Sequence, residues 1–207
     1  DVYATAFSGF YTAFILLLFM LIFRGVSIHV RSLRPGGRWR GFWDGAFCVS
    51  SVLASLIIGV AMGNIAWGVP IDERGEFAGT FLGLLRPYPL LVGLMTVAMF
   101  AMHGGLFLYL KTEGEFQARV RDWMWRSWGM FLVTYLLTTI YTLTLVPRAT
   151  ANFVHWPWAV FVVLANVLAI ANIPRSLYWQ RPGDAFASSC VVIASLTALV
   201  VVVVGGV

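Results

Sequence analysis

Six apolar runs, at residues 5–28, 42–67, 90–110, 128–146, 158–174 and 185–207, decide what this chain can fold into. A helix crosses a bilayer with about 17–25 apolar residues at ~1.5 Å of rise each, and every run meets that length. The connections between them are short, which leaves no room for a separate water-soluble domain. Composition agrees. The chain is 60% hydrophobic and 11% charged, whereas an ordinary globular domain is about 25% charged, so there is too little polar surface to face water all round. The runs lack the alternating polarity of a membrane β-barrel strand. The expected fold is an all-α, polytopic transmembrane helical bundle with six spans.

Basic residues orient the spans. The connection after the first run carries Arg31, Arg34, Arg38 and Arg40. That after the third carries Lys111, Arg119, Arg121 and Arg126, and that after the fifth carries Arg175 and Arg181. These are ten of the fourteen basic residues. The opposite connections hold Arg74, Arg86 and Arg148, and Arg24 lies inside the first run. A ten-to-three split is a positive-inside signal, so the first helix is expected to start outside and to place its arginine burst in the cytoplasm. The net charge of +5 is then a property of topology, and no nucleic-acid partner is read from it. Trp67, Tyr88, Trp156, Trp158 and Trp179 fall near helix ends, as interfacial anchors do.

The chain starts at Asp1 without a leader and ends in VVVVVGGV while still apolar. Both ends read as cut, and the chain is expected to be an internal piece of a larger membrane protein. Cys48 and Cys190 lack CxxC spacing and are expected to be reduced, small core residues.

Ionisable and polar groups within spans are where function is sought in a membrane protein. Arg24 lies about one turn inside the cytoplasmic end of the first helix, either snorkelling to the headgroups or taking part in an ion pair or proton path. Ser27 and Arg31 share its helical face, whereas His29 points about 140° away. Asp44 opens the second helix, where an acid is favoured by the helix dipole. A cytoplasmic polar cluster of Arg24, His29 and Asp44 is permitted. In IGVAMGNIAWGVP, Gly59 and Gly63 form a small-xxx-small step for close helix packing, and Asn64 can hydrogen-bond across it. In AMHGGLFLYLKTEGE, His103 lies about 12 Å inside the Lys111 boundary, beside Gly104 and Gly105, which suit close approach of a neighbour or a flat ligand. His103 keeps two readings, an interhelical hydrogen bond or a contact to quinone or lipid. Haem ligation is disfavoured, because His29 lies at the cytoplasmic boundary and His155 in an external loop, neither at a matching depth.

No HExxH, GxxxxGK[ST], CxxCH or nucleophile elbow occurs, no metal site is expected, and no acid occupies the middle of a span. A polytopic transporter would show Gly/Pro-interrupted helices in two matching halves, and no such pair is present. A haem-binding anchor of another respiratory complex would need histidines at matched depths.

The strings VYATAFSGFYTAF, FRGVSIHVRS, RWRGFWDGAF, IGVAMGNIAWGVP, GTFLGLLRPYPLLVGL and MHGGLFLYLKTEGE, in this order, resemble subunit II of the cytochrome bd quinol oxidases. The likeness covers most of the chain and is densest from Tyr3 to Glu115. It implies two four-helix bundles, of which this piece supplies family helices three to eight: residues 1–69 as the second half of the first bundle, 70–89 as an external loop and 90–207 as the truncated second bundle. It also implies a heterodimer with subunit I in the bacterial cytoplasmic membrane. Subunit I would hold the b- and d-type haems and the site for ubiquinol or menaquinol and O2. This chain would bind no haem, would stabilise its partner, and would contribute to a proton path from the cytoplasm. Some members hold a structural quinone. Arg24 and Arg31 match the family's FR-x-V-x-x-x-x-R pattern, and Asp44 matches a Trp-Asp pair. His29 departs from that pattern, standing where relatives usually carry an acid of the proton path. An imidazole can relay protons near neutral pH.

Overall fold

A computed structural model describes residues 2–70, 77–146 and 156–204, with side chains from residue 9 onward. Arg74, Arg148 and His155 lie outside the described residues. Six long helices make up nearly all of it: α1 (Val2–Ser32), α2 (Gly37–Trp67), α3 (Pro87–Lys111), α4 (Gly114–Leu145), α5 (Ala159–Tyr178) and α6 (Pro182–Val204). A 3₁₀ turn at Leu82–Leu84 precedes α3. All six helices are long and apolar enough to cross a membrane, and no extended strand occurs among the described residues. The chain is a multi-pass, all-α membrane protein.

The helices outrun the apolar runs. Helix α4 begins at Gly114, fourteen residues before the run at 128, so the charged stretch 115–126 is helical rather than a loop. A hydropathy window sees only the part bathed in hydrocarbon. Beyond it the helix continues because Glu, Gln, Ala and Arg are good helix formers, and because Arg119 donates to Glu115 one turn away at 2.8 Å. Helix α2 likewise begins at Gly37 and carries Arg38, Trp39 and Arg40 in its first turns.

The burial pattern is that of a protein whose solvent is lipid. Leu18, Phe19, Phe161 and Leu168 are more than half exposed, whereas Ser27, Ser50, Asn64, Asn166, Ser189 and Ser195 are buried. Lipid tails are as apolar as leucine, so close packing and interhelical hydrogen bonds hold such helices together. Many buried hydroxyls return their proton to the carbonyl one turn back, as Ser27 does to Phe23 at 2.6 Å and Thr96 to Val92 at 2.9 Å. Cys48 and Cys190 are free but lie on exposed helix faces, which corrects the expectation that they fill the core. A small side chain leaves the choice of face to its neighbours on the helix.

The helices fall into two compact units, Asp1–Val97 and Ala98–Val207. In the first, α1 packs along α2, and α2 meets the start of α3 at glycines. A Cβ on Gly59 would lie 2.6 Å from the Gly93 Cα, and one on Gly63 would lie 2.7 Å from the Pro89 Cα. Neither distance is sterically tolerable, so the small-xxx-small step brings two backbones into contact. Asn64 does not bridge to α3. Its buried amide donates at 2.8 Å to the carbonyls of Val60 and Leu84, tying α2 to the 3₁₀ turn. The Trp67 and Tyr88 rings meet at 5.5 Å near the same end.

In the second unit polar side chains link the helices. Trp128 of α4 donates to the Ile170 carbonyl of α5 at 3.2 Å. Asn166 donates to Ser195 at 2.7 Å and Asn172 to Ser188 at 2.9 Å, both from α5 to α6. The Gly104–Gly105 pair splits by face. A side chain on Gly105 would collide with Met124 of α4, whereas nothing lies within 4 Å of a Cβ on Gly104.

Two substitutions separate these glycine environments. Gly63→Leu should destabilise the full-length protein by about 1–3 kcal/mol or more through overpacking, read as a lower thermal midpoint and a lower yield of folded protein in detergent. Gly104→Leu should leave that midpoint unchanged. Loss of assembly in Gly104→Leu alone would mark its open face as a surface for a partner.

Candidate functional site

The end of the α1–α2 hairpin gathers most of the polar residues singled out in the sequence. Pro35 and the glycines at 36 and 37 end one helix and start the next. Arg31 in the last turn of α1 therefore returns to face Asp44, two turns into α2. Arg31 Nε donates to Asp44 Oδ1, and Nη2 donates to Oδ2 at 3.3 Å, a two-pronged guanidinium–carboxylate pair. The side chains are 49% and 54% exposed, so water reaches the pair. Trp39 Nε1 donates to the Val30 carbonyl at 2.9 Å, and the Arg34 guanidinium lies over the Trp39 ring at 5.0 Å. This aromatic staple was not legible in advance, because Trp39 sits in what reads as a basic loop.

Arg24 lies one to two turns deeper. Its guanidinium stands 5.2 Å over the Phe47 ring of α2, within range of a cation–π contact. No carboxylate of the described residues comes within ion-pair distance of it. Buried Ser27 lies between Arg24 and Arg31 on this face. His29 is exposed, turned by the helical period away from the face that carries the Arg31–Asp44 pair. The structure thus brings Arg24, Ser27, Arg31 and Asp44 to one α1–α2 seam and leaves His29 outside it.

His103 occupies a different setting, in the second unit. Its Nδ1 lies 2.9 Å from Ser189 Oγ of α6, and its ring stacks on Phe186 with centroids 5.0 Å apart and planes 26° from parallel. Ser189 gives its single hydroxyl proton to the Phe186 carbonyl at 2.7 Å. Its oxygen is then the acceptor, the proton sits on His103 Nδ1, and Nε2 is left as the free nitrogen. The sequence had offered an interhelical hydrogen bond here, and the partner is Ser189. The adjacent serines at 188 and 189, in an otherwise apolar run, were the signal that α6 carries polar contacts.

The sequence profile of the family described as "Cytochrome bd terminal oxidase subunit II" matches residues 1–205. The chain belongs to that family. Among its relatives, the "Cytochrome bd-I ubiquinol oxidase subunit 2" of Escherichia coli K12 is 44% identical over 124 residues, covering 58% of this chain and 33% of the relative. The "Probable cytochrome oxidase subunit 2" of Haemophilus influenzae is 35% identical over the same length and shares. The "Cytochrome bd ubiquinol oxidase subunit 2" of Bacillus subtilis is 28% identical over 177 residues, covering 84% of this chain and 52% of the relative. The chain thus spans a third to a half of these relatives.

Cytochrome bd complexes carry haem, so the donor chemistry can be compared with it. Among the described residues of the second unit, His103 is the one imidazole. Among the described residues no three His, Cys, Asp or Glu gather as a metal site. A haem held between two histidines needs a second imidazole, so the described residues of this unit do not by themselves fit that group.

A water-reached pair of this kind contributes little to stability, about 0–1 kcal/mol. A double-mutant cycle of Arg31→Ala and Asp44→Asn, read by thermal unfolding of the full-length protein, should return a coupling of no more than about 1 kcal/mol. A larger coupling would mean that the pair is buried in the assembled protein.

Proposed function

We propose that this chain is part of subunit II of a cytochrome bd-type quinol:dioxygen oxidoreductase, a terminal oxidase of a bacterial inner membrane. Its work is to stabilise haem-bearing subunit I and to shape the cytoplasmic entrance of the proton path. The match to the subunit II family over residues 1–205 carries this reading. Orientation is part of the proposal: the charge split places the α1–α2 hairpin end, with Arg31, Asp44 and the arginines around them, in the cytoplasm.

Haems held by subunit I would supply the electron transfer from quinol to dioxygen. Reduction of dioxygen to water consumes one proton per electron. If those protons come from the cytoplasm while quinol releases its own outside, charge separates across the membrane without a pump. The chain's own residues act on the first part of that route. Arg31 and Asp44 hold the ends of α1 and α2 together and keep a hydrated, charged seam at the membrane boundary. Arg24 lies deeper on the same face and lowers the cost of bringing water inward along it. His29, which stands where relatives usually carry an acid, presents an exposed imidazole outside the seam, open to water and to other parts of the assembled complex. A structural quinone near His103 remains a second part of the proposal, favoured by its free Nε2 and by the open face at Gly104.

Two experiments test these roles. A reduced-minus-oxidised visible spectrum of the full-length chain should show haem only when subunit I is co-expressed. A stoichiometric b-type signal from this chain alone would overturn the assignment and make His103 the first ligand to replace. His29→Ala in the full complex should slow oxygen consumption several-fold with haem content unchanged. Wild-type turnover in that variant from about pH 6 to pH 8, the range that brackets imidazole titration, would rule out a role in proton entry.

A further inference from the structure

The turn between α5 and α6 builds a pocket that the oxidase reading leaves unused. Helix α5 ends with the Arg181 N–H donating to the Ser176 carbonyl at 2.9 Å and the Gln180 N–H to the Leu177 carbonyl at 3.3 Å. This is the double closure of a Schellman motif. Gln180 has φ 55, the left-handed conformation in which glycine is usual at this position. Pro182 follows as the first residue of α6, a place where its missing N–H costs nothing. The tight turn folds Arg181 and Asp184 back over the last turns of α5. Together with Asn172, Arg175, Ser176 and Trp179 they line an open pocket of about 280 Å³.

The charges in this pocket are unequally committed. Arg181 Nη1 lies 3.6 Å from Asp184 Oδ2, and its guanidinium stands 5.8 Å over the Trp179 ring. Asn172 spends an amide proton on Ser188. Arg175 has no carboxylate within ion-pair distance among the described residues. Two cations and one anion leave a single net positive charge, concentrated on the free Arg175 fork. The surroundings say at what depth this lies. Tyr178 and Trp179, 79% and 61% exposed, are the amphipathic rings that sit at headgroup level. Along α5 away from the pocket, toward its first turn, the exposed face is apolar, with Leu168, Leu164 and Phe161.

We propose that this pocket binds the phosphate diester of a membrane phospholipid. A guanidinium fork matches two phosphate oxygens, and the monoanionic diester balances the single excess charge, whereas a dianion would be repelled by the Asp184 carboxylate. The volume lies at the lower edge of the roughly 300–1,000 Å³ of small-molecule pockets. It therefore admits a headgroup and leaves the acyl chains outside, along the apolar face of α5. Basic pockets between helices at a membrane boundary take headgroups in this way.

The test uses the full-length chain in its assembled complex, delipidated in detergent and then titrated separately with phosphatidylglycerol, phosphatidylethanolamine and inorganic phosphate, with bound lipid counted by native mass spectrometry. Wild type should retain a phospholipid that Arg175→Gln binds at least tenfold more weakly, while Arg119→Gln, a surface arginine elsewhere, binds it as wild type does. Arg175→Lys, which keeps the charge but loses the fork, should fall between them and serves if the glutamine variant fails to assemble. Equal lipid retention in wild type and both Arg175 variants would overturn the proposal. Displacement of the lipid by millimolar inorganic phosphate would also overturn it, by showing a site for the free anion.

Discussion

Everything in this chain follows from the absence of water in a bilayer. A backbone N–H or C=O left unpaired in hydrocarbon costs several kcal/mol, so a spanning segment must satisfy its own hydrogen bonds and becomes a helix. Six such helices make up most of the described residues. What remains for tertiary structure is to decide which faces meet. In lipid that cannot be settled by hiding apolar surface, because the outside is as apolar as the inside.

The two units answer that problem with different means. In the first, glycines at 59, 63 and 93 let backbones touch, so dispersion between close-packed atoms does the holding. Asn64 pins the end of α2 to the 3₁₀ turn through two carbonyls. In the second, α5 and α6 are joined by amide–hydroxyl bonds from Asn166 and Asn172 to serines of α6, and His103 of α3 reaches the same helix at Ser189. A polar side chain that meets a partner in hydrocarbon fixes the rotation of its helix more sharply than a leucine does, since the alternative is an unpaired group.

Charge is treated differently at the ends of the helices. Arg31 and Asp44 pair where water reaches both, and Arg24 rests on an aromatic face rather than a carboxylate. The α5–α6 turn repeats the theme with Arg181 on Trp179 and Asp184. Such pairs add little stability, but each fixes a geometry at a helix end.

The sequence by itself determined the six helices, their membrane character and the family, because apolar length and ordered motif strings are local properties. It also marked Gly59 and Gly63 as packing residues, since a four-residue step puts both on one face. It did not reveal the helical start of α4, because Glu115 to Arg126 is too polar for any hydropathy window, although its helix formers continue the turn. Only the tertiary structure decided that Asn64 turns to Leu84, that Ser189 is the partner of His103, that Gly105 is packed while Gly104 is open, and that Arg31 rather than Arg24 takes Asp44. Each of these choices depends on where a second helix lies, and sequence spacing fixes the faces of one helix without fixing the neighbour that each face meets.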